Sequence, residues 1–302
     1  MKLVMLISAG LGALVCTVLW TAIEQHSIAS PRTTRIQRDV VYAQYGQLQL
    51  RLDMYLPPES SPGRVPGIVA VHGGGWRSGS KEDYGYIAGN LASQGFVVAA
   101  IDYRLSGEAT FPAAVHDAKA AVRWLRAHAA SYGVNPNLIG AVGGSAGAHL
   151  VAMLATSGGV EELEGNGGNA KVSSTIQAAI AMACGCDLRA RDGVGPEFVG
   201  AVTEFIGGPP ATRPDAAAAA SPASYVSRAS APLLLLHSRT DPLAPYDQSV
   251  EMADLYRRAG ARVTLEAVDA PQLHAFWAQP QYFPAVRERM IEFFQQTLVP
   301  AH

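Results

Sequence analysis

Six largely apolar runs constrain this chain more than any other feature: Ile68 to Val71, Phe96 to Ile101, Leu138 to Val142, Ile176 to Met182, Pro232 to Leu236 and Val263 to Val268, broken only by Gln177, Thr264 and Glu266. A strand that is apolar at every position is covered on both faces, which is the signature of a parallel sheet. Between the runs lie segments of helical period. The clearest places Val115, Ala118, Val122, Leu125 and Ala129 on one face and His116, Lys119, Arg123 and Arg126 on others. A last helix is expected after Pro284, with Val286, Met290, Phe293 and Phe294 inward. Alternation of this kind predicts an α/β fold with right-handed crossovers and helices on both faces.

Ahead of these runs, residues 30–38 read as a tether. Val40 to Tyr55 then alternates, with Leu48, Leu50, Leu52 and Met54 on one face and a turn at Gly46, so an antiparallel hairpin is expected. Two stretches break the rhythm. The glycine-rich Ser157 to Asn169 reads as a mobile surface loop. Residues 187–230, rich in Gly-Pro and alanine, read as a short lid-like insertion of helices and turns between two core strands.

The first residues belong to targeting and not to the fold. Leu3 to Ile23 is uncharged and preceded by Lys2, and Ser27-Ile28-Ala29 offers small residues of the kind a signal peptidase reads. Residues 1–29 are therefore expected to be a signal peptide or, uncleaved, a membrane anchor, followed by a single domain over 30–302. Either outcome exports the body of the chain, to a secreted or periplasmic location, and membrane contact is expected only through the N-terminal segment. With a net charge of −2 and only Lys2, Lys81, Lys119 and Lys171 as lysines, the chain has no basic stripe for nucleic acid. Cys184 and Cys186 are spaced for neither a zinc knuckle nor a relaxed local disulfide, so they read as small buried residues. No metal or cofactor is expected.

Chemistry concentrates at four places that follow predicted strands. Gly143-Gly144-Ser145-Ala146-Gly147 lies between an apolar run and a helical segment, the context of a nucleophile elbow. His72-Gly73-Gly74-Gly75-Trp76 follows Ile68 to Val71 and has the form of an oxyanion loop. A dinucleotide loop is a poor alternative, because Gly73-Gly74-Gly75-Trp76-Arg77-Ser78 lacks the third glycine. Serine needs a base, and the base needs an orienting carboxylate. Of the eight histidines, His274 alone sits in a loop after the last strand and before the last helix. Asp241, in the turn after the strand ending at His237, is preferred over Asp247 and Asp269 as the carboxylate. Gly74, Gly75 and Ala146 are expected to supply backbone N–H groups to a developing oxyanion. Trp76, Tyr84 and Phe276, with Tyr86, Phe198, Phe205 and Trp277, are expected around a substrate mouth.

Over about residues 45–296 the chain resembles the α/β-hydrolase superfamily, in its His-Gly-Gly-Gly-Trp esterase and lipase branch. Within that branch Val71 to Glu82, Asp102 to Leu105, Phe111-Pro112 with Asp117, Gly143 to Leu150 and Ser221 to Val226 look like the bacterial acetyl xylan and feruloyl esterase-like (BD-FAE-like) enzymes. The resemblance implies a serine esterase acting on small-molecule or oligosaccharide esters, with Ser145, Asp241 and His274 catalytic. The chain departs from the pattern at Leu273 and Ala275, where the family usually carries glycines. Asp102 and Arg104 read as a structural ion pair or loop anchor. An aryl-formamidase of the same fold and a catalytically silent binding module are the alternative readings.

Overall fold

The computed structural model describes residues 33–58 and 63–299 of the chain. The expected targeting segment, residues 1–29, lies outside the described residues. From Thr33 onward the chain falls in one compact unit.

The six apolar runs become strands β3 (Val65–Val71), β4 (Val97–Ile101), β5 (Val134–Gly144), β6 (Ala178–Met182), β7 (Leu233–Ser238) and β8 (Val263–Val268), preceded by β1 (Arg35–Tyr45) and β2 (Leu48–Leu56). They form one sheet in the order β1-β2-β4-β3-β5-β6-β7-β8. β1 and β2 pair antiparallel across a turn where Gly46 takes φ 61°, β2 meets β4 antiparallel, and every pair from β4 to β8 is parallel.

Because successive strand side chains point to opposite faces, each buried strand feeds two cores. Val69 and Val71 of β3 and Leu233 and Leu235 of β7 pack with α2 (Ala113–Ala127), α3 (Ala146–Thr156) and α6 (Asp247–Ala259). Ile68, Ala70, Leu234 and Leu236 pack instead with α1 (Gly85–Ser93) and α7 (Phe283–Leu298). Each fully buried Val, Leu or Ile contributes roughly 1.5–3 kcal/mol, so the double coverage is what holds the sheet between its helices. The fold is thus an α/β-hydrolase fold with helices on both faces. Between β6 and β7 lie α4 (Pro196–Ile206) and α5 (Pro214–Ala219), the insertion expected over 187–230.

Several local expectations are corrected. Strand β1 begins at Arg35, inside the supposed tether, because Arg38 is held by the buried Asp53 at 3.0 Å. β8 is half-buried, as an edge strand with Glu266 facing Arg289 of α7. Lys119 and Arg123 do not face solvent. Both are buried beneath the Ser157 to Asn169 segment, where Glu164 accepts from Lys119 Nζ at 2.8 Å and from Arg123 Nη1 at 3.1 Å. Arg123 also donates to the Gly167 carbonyl at 2.6 Å, and Leu163 is buried, so the segment is a packed cover and not a free loop. Arg104 pairs with Asp117 through bonds of 2.8 and 2.7 Å, while Asp102 accepts the Lys81 N–H at 2.8 Å, so the two do not pair with each other. Cys184 and Cys186 are buried as expected but joined in a disulfide.

Candidate active site

The chain runs from β3 outward to β4 and then returns to β5 on the other side of β3. Loops leaving the carboxyl ends of β3 and β5 therefore diverge and leave a crevice, the usual ligand position in such a sheet. The His72 to Gly79 loop leaves β3 there, and Ser145 sits between β5 and α3.

Ser145 occupies φ 57°, ψ −123°, a conformation that a side chain bearing a Cβ rarely adopts. Its N–H is bonded to the Met182 carbonyl of the neighbouring strand at 2.8 Å, which helps hold the turn. The flanking glycines are required by contact: a Cβ on Gly147 would lie 2.1 Å from the Val71 carbonyl oxygen, and one on Gly143 2.4 Å from the Gly147 oxygen. The strained elbow lifts the Ser145 hydroxyl out of the sheet and puts it at the start of α3, where the helix dipole favours negative charge.

Three residues far apart in sequence meet at this hydroxyl. His274 Nδ1 lies 2.7 Å from Asp241 Oδ2, and His274 Nε2 lies 2.8 Å from Ser145 Oγ. A carboxylate only accepts, so Nδ1 carries the proton and Nε2 accepts from the serine hydroxyl. The Asp241 side chain is fully buried and its Oδ1 accepts the N–H groups of Leu243 and Ala244 at 2.8 and 3.0 Å. Burial alone would raise its pKa. Hydrogen bonds from His237, His274 and the Leu243 N–H outweigh that effect and hold the carboxyl well below the usual carboxylate range. Asp241 is thus ionised wherever His274 is to be oriented.

His237, at the end of β7, is a contact that sequence reasoning passed over as strand packing. Its Nε2 lies 3.2 Å from Asp241 Oδ2 and 3.0 Å from the Ala244 carbonyl, and its Nδ1 lies 2.7 Å from Ser249 Oγ. Two acceptors around Nε2 require a proton there, so His237 donates to the same carboxylate oxygen as His274. The signal was available in the four-residue spacing of His237 and Asp241 across one turn.

Gly74 and Gly75 take φ 105° and 61°, and with Ala146 they border the cleft beside Ser145. Ala146 opens α3, so its N–H has no intrahelical acceptor. His72 does not enter the site: its Nδ1 bonds the Gly73 carbonyl at 2.7 Å and its ring stacks on Tyr103 at 4.3 Å, which anchors the loop. Burial lowers the His72 pKa, keeping that anchor neutral.

The cleft has a volume of about 750 Å³. Trp76 and Tyr84 line it, as do Tyr86, Phe198 and Trp277. Phe276 and Phe205 do not. Phe276 is wholly buried among the α1 and α7 side chains, because neighbouring residues on its short turn point apart and the purely apolar ring turns inward, leaving Trp277 at the cleft. Trp76 stacks on Phe205 at 4.5 Å, and its buried Nε1–H finds no acceptor among the described residues. Gly185 and the α4 residues Glu197, Phe198 and Ala201 complete the wall, and of these the sequence had suggested only Phe198.

A family model described as BD-FAE matches residues 52–256. The chain belongs to this family. It is 31% identical over 256 residues, 84% of its length, to the esterase LipQ of Mycobacterium tuberculosis, and it spans 59% of that longer relative. The chain spans less than two thirds of the first curated relatives it matches. Among solved structures, a truncated carbohydrate esterase from gut microbiota superposes with a TM-score of 0.77 at 28% identity, covering 88% of this chain and 99% of the other. Thermogutta terrifontis esterase 2 phosphonylated by sarin gives 0.74 at 28% identity, covering 89% and 97%. This BD-FAE chain therefore shares its fold and family with proteins named as esterases.

Proposed function

We propose that this BD-FAE chain is a serine carboxylic ester hydrolase that works through an acyl-enzyme. The observation that carries the reading is the hydrogen-bonded line Asp241–His274–Ser145, with spacings of 2.7 and 2.8 Å, on a serine held at positive φ. In this mechanism Ser145 Oγ attacks the ester carbonyl carbon as His274 Nε2 takes its proton. The carbonyl oxygen becomes an oxyanion and accepts from the N–H groups of Gly74, Gly75 and Ala146. His274 then returns the proton to the departing alcohol oxygen, the C–O bond breaks, and an ester to Ser145 remains. Water, deprotonated by His274, releases the acid and restores the serine. Asp241 holds the imidazole and balances its positive charge without taking the proton.

Small acyl groups, acetyl or feruloyl, on plant polysaccharide or its fragments are the proposed substrates. The aromatic wall of Trp76, Tyr84, Tyr86 and Trp277 suits a sugar or phenolic ring, and one structural neighbour is named a carbohydrate esterase. Export is proposed from the uncharged Leu3 to Ile23 segment and is supported by the Cys184–Cys186 disulfide, a bond that persists in oxidising compartments. No helix among the described residues is long and apolar enough to cross a membrane.

The test is turnover of an acetylated xylo-oligosaccharide beside a formylated aromatic amine. Hydrolysis of the ester with kcat reduced on the order of 10⁶-fold by Ser145→Ala supports the proposal. Preference for the formamide would transfer the chain to the aryl-formamidase reading, and unaltered turnover by the variant would remove Ser145 from the mechanism.

A further inference from the structure

A second cavity of about 220 Å³ lies behind the wall of the cleft. Leu188, Val194, Val199, Val202 and Pro209 line it, and Phe198 lines both it and the cleft. Helix α4 is therefore two-faced: Glu197 and Ala201 look into the cleft, Val199 and Val202 into the cavity, and the Phe198 ring stands between. The rim of that ring rests on Gly185, where a Cβ would lie 2.7 Å from Phe198 Cζ and 3.7 Å from Leu188 Cδ2. Gly185 is fixed on both sides, by the Cys184–Cys186 disulfide. One aromatic ring on a braced turn thus separates the cleft from the cavity.

The cavity interior suits hydrocarbon. Its two guanidinium groups are already engaged, Arg189 with Asp187 and Arg191 with Glu251, each at 2.5 Å. The direction of approach is set by the chemistry at Ser145. The departing oxygen must face His274, which protonates it, so the acyl chain runs away from His274. Ala201 of α4 lines the cleft beside the oxyanion loop, its Cβ 3.5 Å from where a Gly75 Cβ would stand.

We propose that Phe198 is the end wall of the acyl site, confining the native enzyme to short acyl chains and so to acetyl over feruloyl among the acyl groups named above, and that the cavity behind it is a latent subsite for a medium-length alkyl chain. This rests on the ester-hydrolase reading above, and it assigns to the buried cysteines the task of holding Gly185 against the ring.

The experiment compares kcat/KM for p-nitrophenyl esters from acetate to decanoate in the native chain, Phe198→Ala and Phe198→Leu. The native chain should favour acetate to butyrate. The decanoate-to-acetate ratio should rise about tenfold or more in Phe198→Ala and by a smaller factor in Phe198→Leu, as an apolar pocket opened by several methylenes allows. Should the alanine variant fail to fold, the leucine variant carries the test. An unchanged ratio in a folded variant overturns the inference, as does a gain confined to a parallel series of longer alkyl acetates, which would place the alcohol there. Failure of the native chain to hydrolyse any member of the series would instead contradict the ester-hydrolase reading, and this inference with it.

Discussion

At the scale of the residue, Asp241 Oδ2 receives two imidazole N–H groups, from His274 at 2.7 Å and His237 at 3.2 Å. Removing the His237 donor leaves the carboxylate under-solvated in a fully buried place, more basic and free to rotate away from His274. His237→Leu should lower kcat about tenfold at unchanged KM. His237→Gln places an N–H near the same point and should restore most of the rate. A leucine variant with native kcat would reduce His237 to packing. Ser145, Asp241 and His274 were legible in the sequence because each follows a strand end in a fixed chain order. The roles of His237 and Phe276 were not, since side-chain direction at a turn depends on which neighbour fills the space first.

At the scale of the element, helix α2 shows where periodicity misleads. Its apolar stripe sets Lys119 and Arg123 on other faces, and both are nonetheless buried beneath the Glu164 segment. Periodicity sees one helix and cannot see a loop some forty residues on that brings a carboxylate and carbonyl oxygens to cover two cations. Burial of ions in this way is sensitive to loss of one partner. Glu164→Ala leaves two buried cations sharing no carboxylate and should destabilise the chain by about 3 kcal/mol, read as a lower urea midpoint at unchanged slope. A loss below about 0.5 kcal/mol would show that the segment is held by its carbonyl contacts alone. The six core strands were legible for the opposite reason: continuous apolar runs leave a strand no solvated face. β8 is the exception, as the sheet edge exposes half of it.

At the scale of the whole molecule, stability should depend on pH through His149. Its ring is wholly buried, edge-on to Trp76 and Phe205, and Nε2–H donates to the Ala220 carbonyl at 2.7 Å, tying α3 to the lid insertion. Burial, partly opposed by that hydrogen bond, lowers its pKa to about 4. The unfolded chain titrates near the ordinary histidine value of about 6.5, so between these values the unfolded state binds a proton that the native state refuses. Stability is therefore full above about pH 6.5 and falls by about 3 kcal/mol as pH drops to about 4. Urea unfolding at pH 7 and 4.5 should show this fall, and His149→Gln, which keeps an N–H for Ala220, should reduce it to the share that the burial-lowered His72 and His116 contribute. Equal pH dependence in both chains would contradict the assignment. Asp241 is held far below the unfolded carboxylate value of about 3.9, so its own loss begins only near and below pH 4, outside the pH 7 to 4.5 comparison.

The whole assembly of sheet, elbow and loops has one chemical purpose in this account, to make Ser145 a nucleophile. Treatment with a fluorophosphonate followed by peptide mapping tests that claim most directly. One stoichiometric adduct is expected, on Ser145 and absent from Ser145→Ala. A folded native chain that stays unlabelled, or carries its label on another residue, would contradict it.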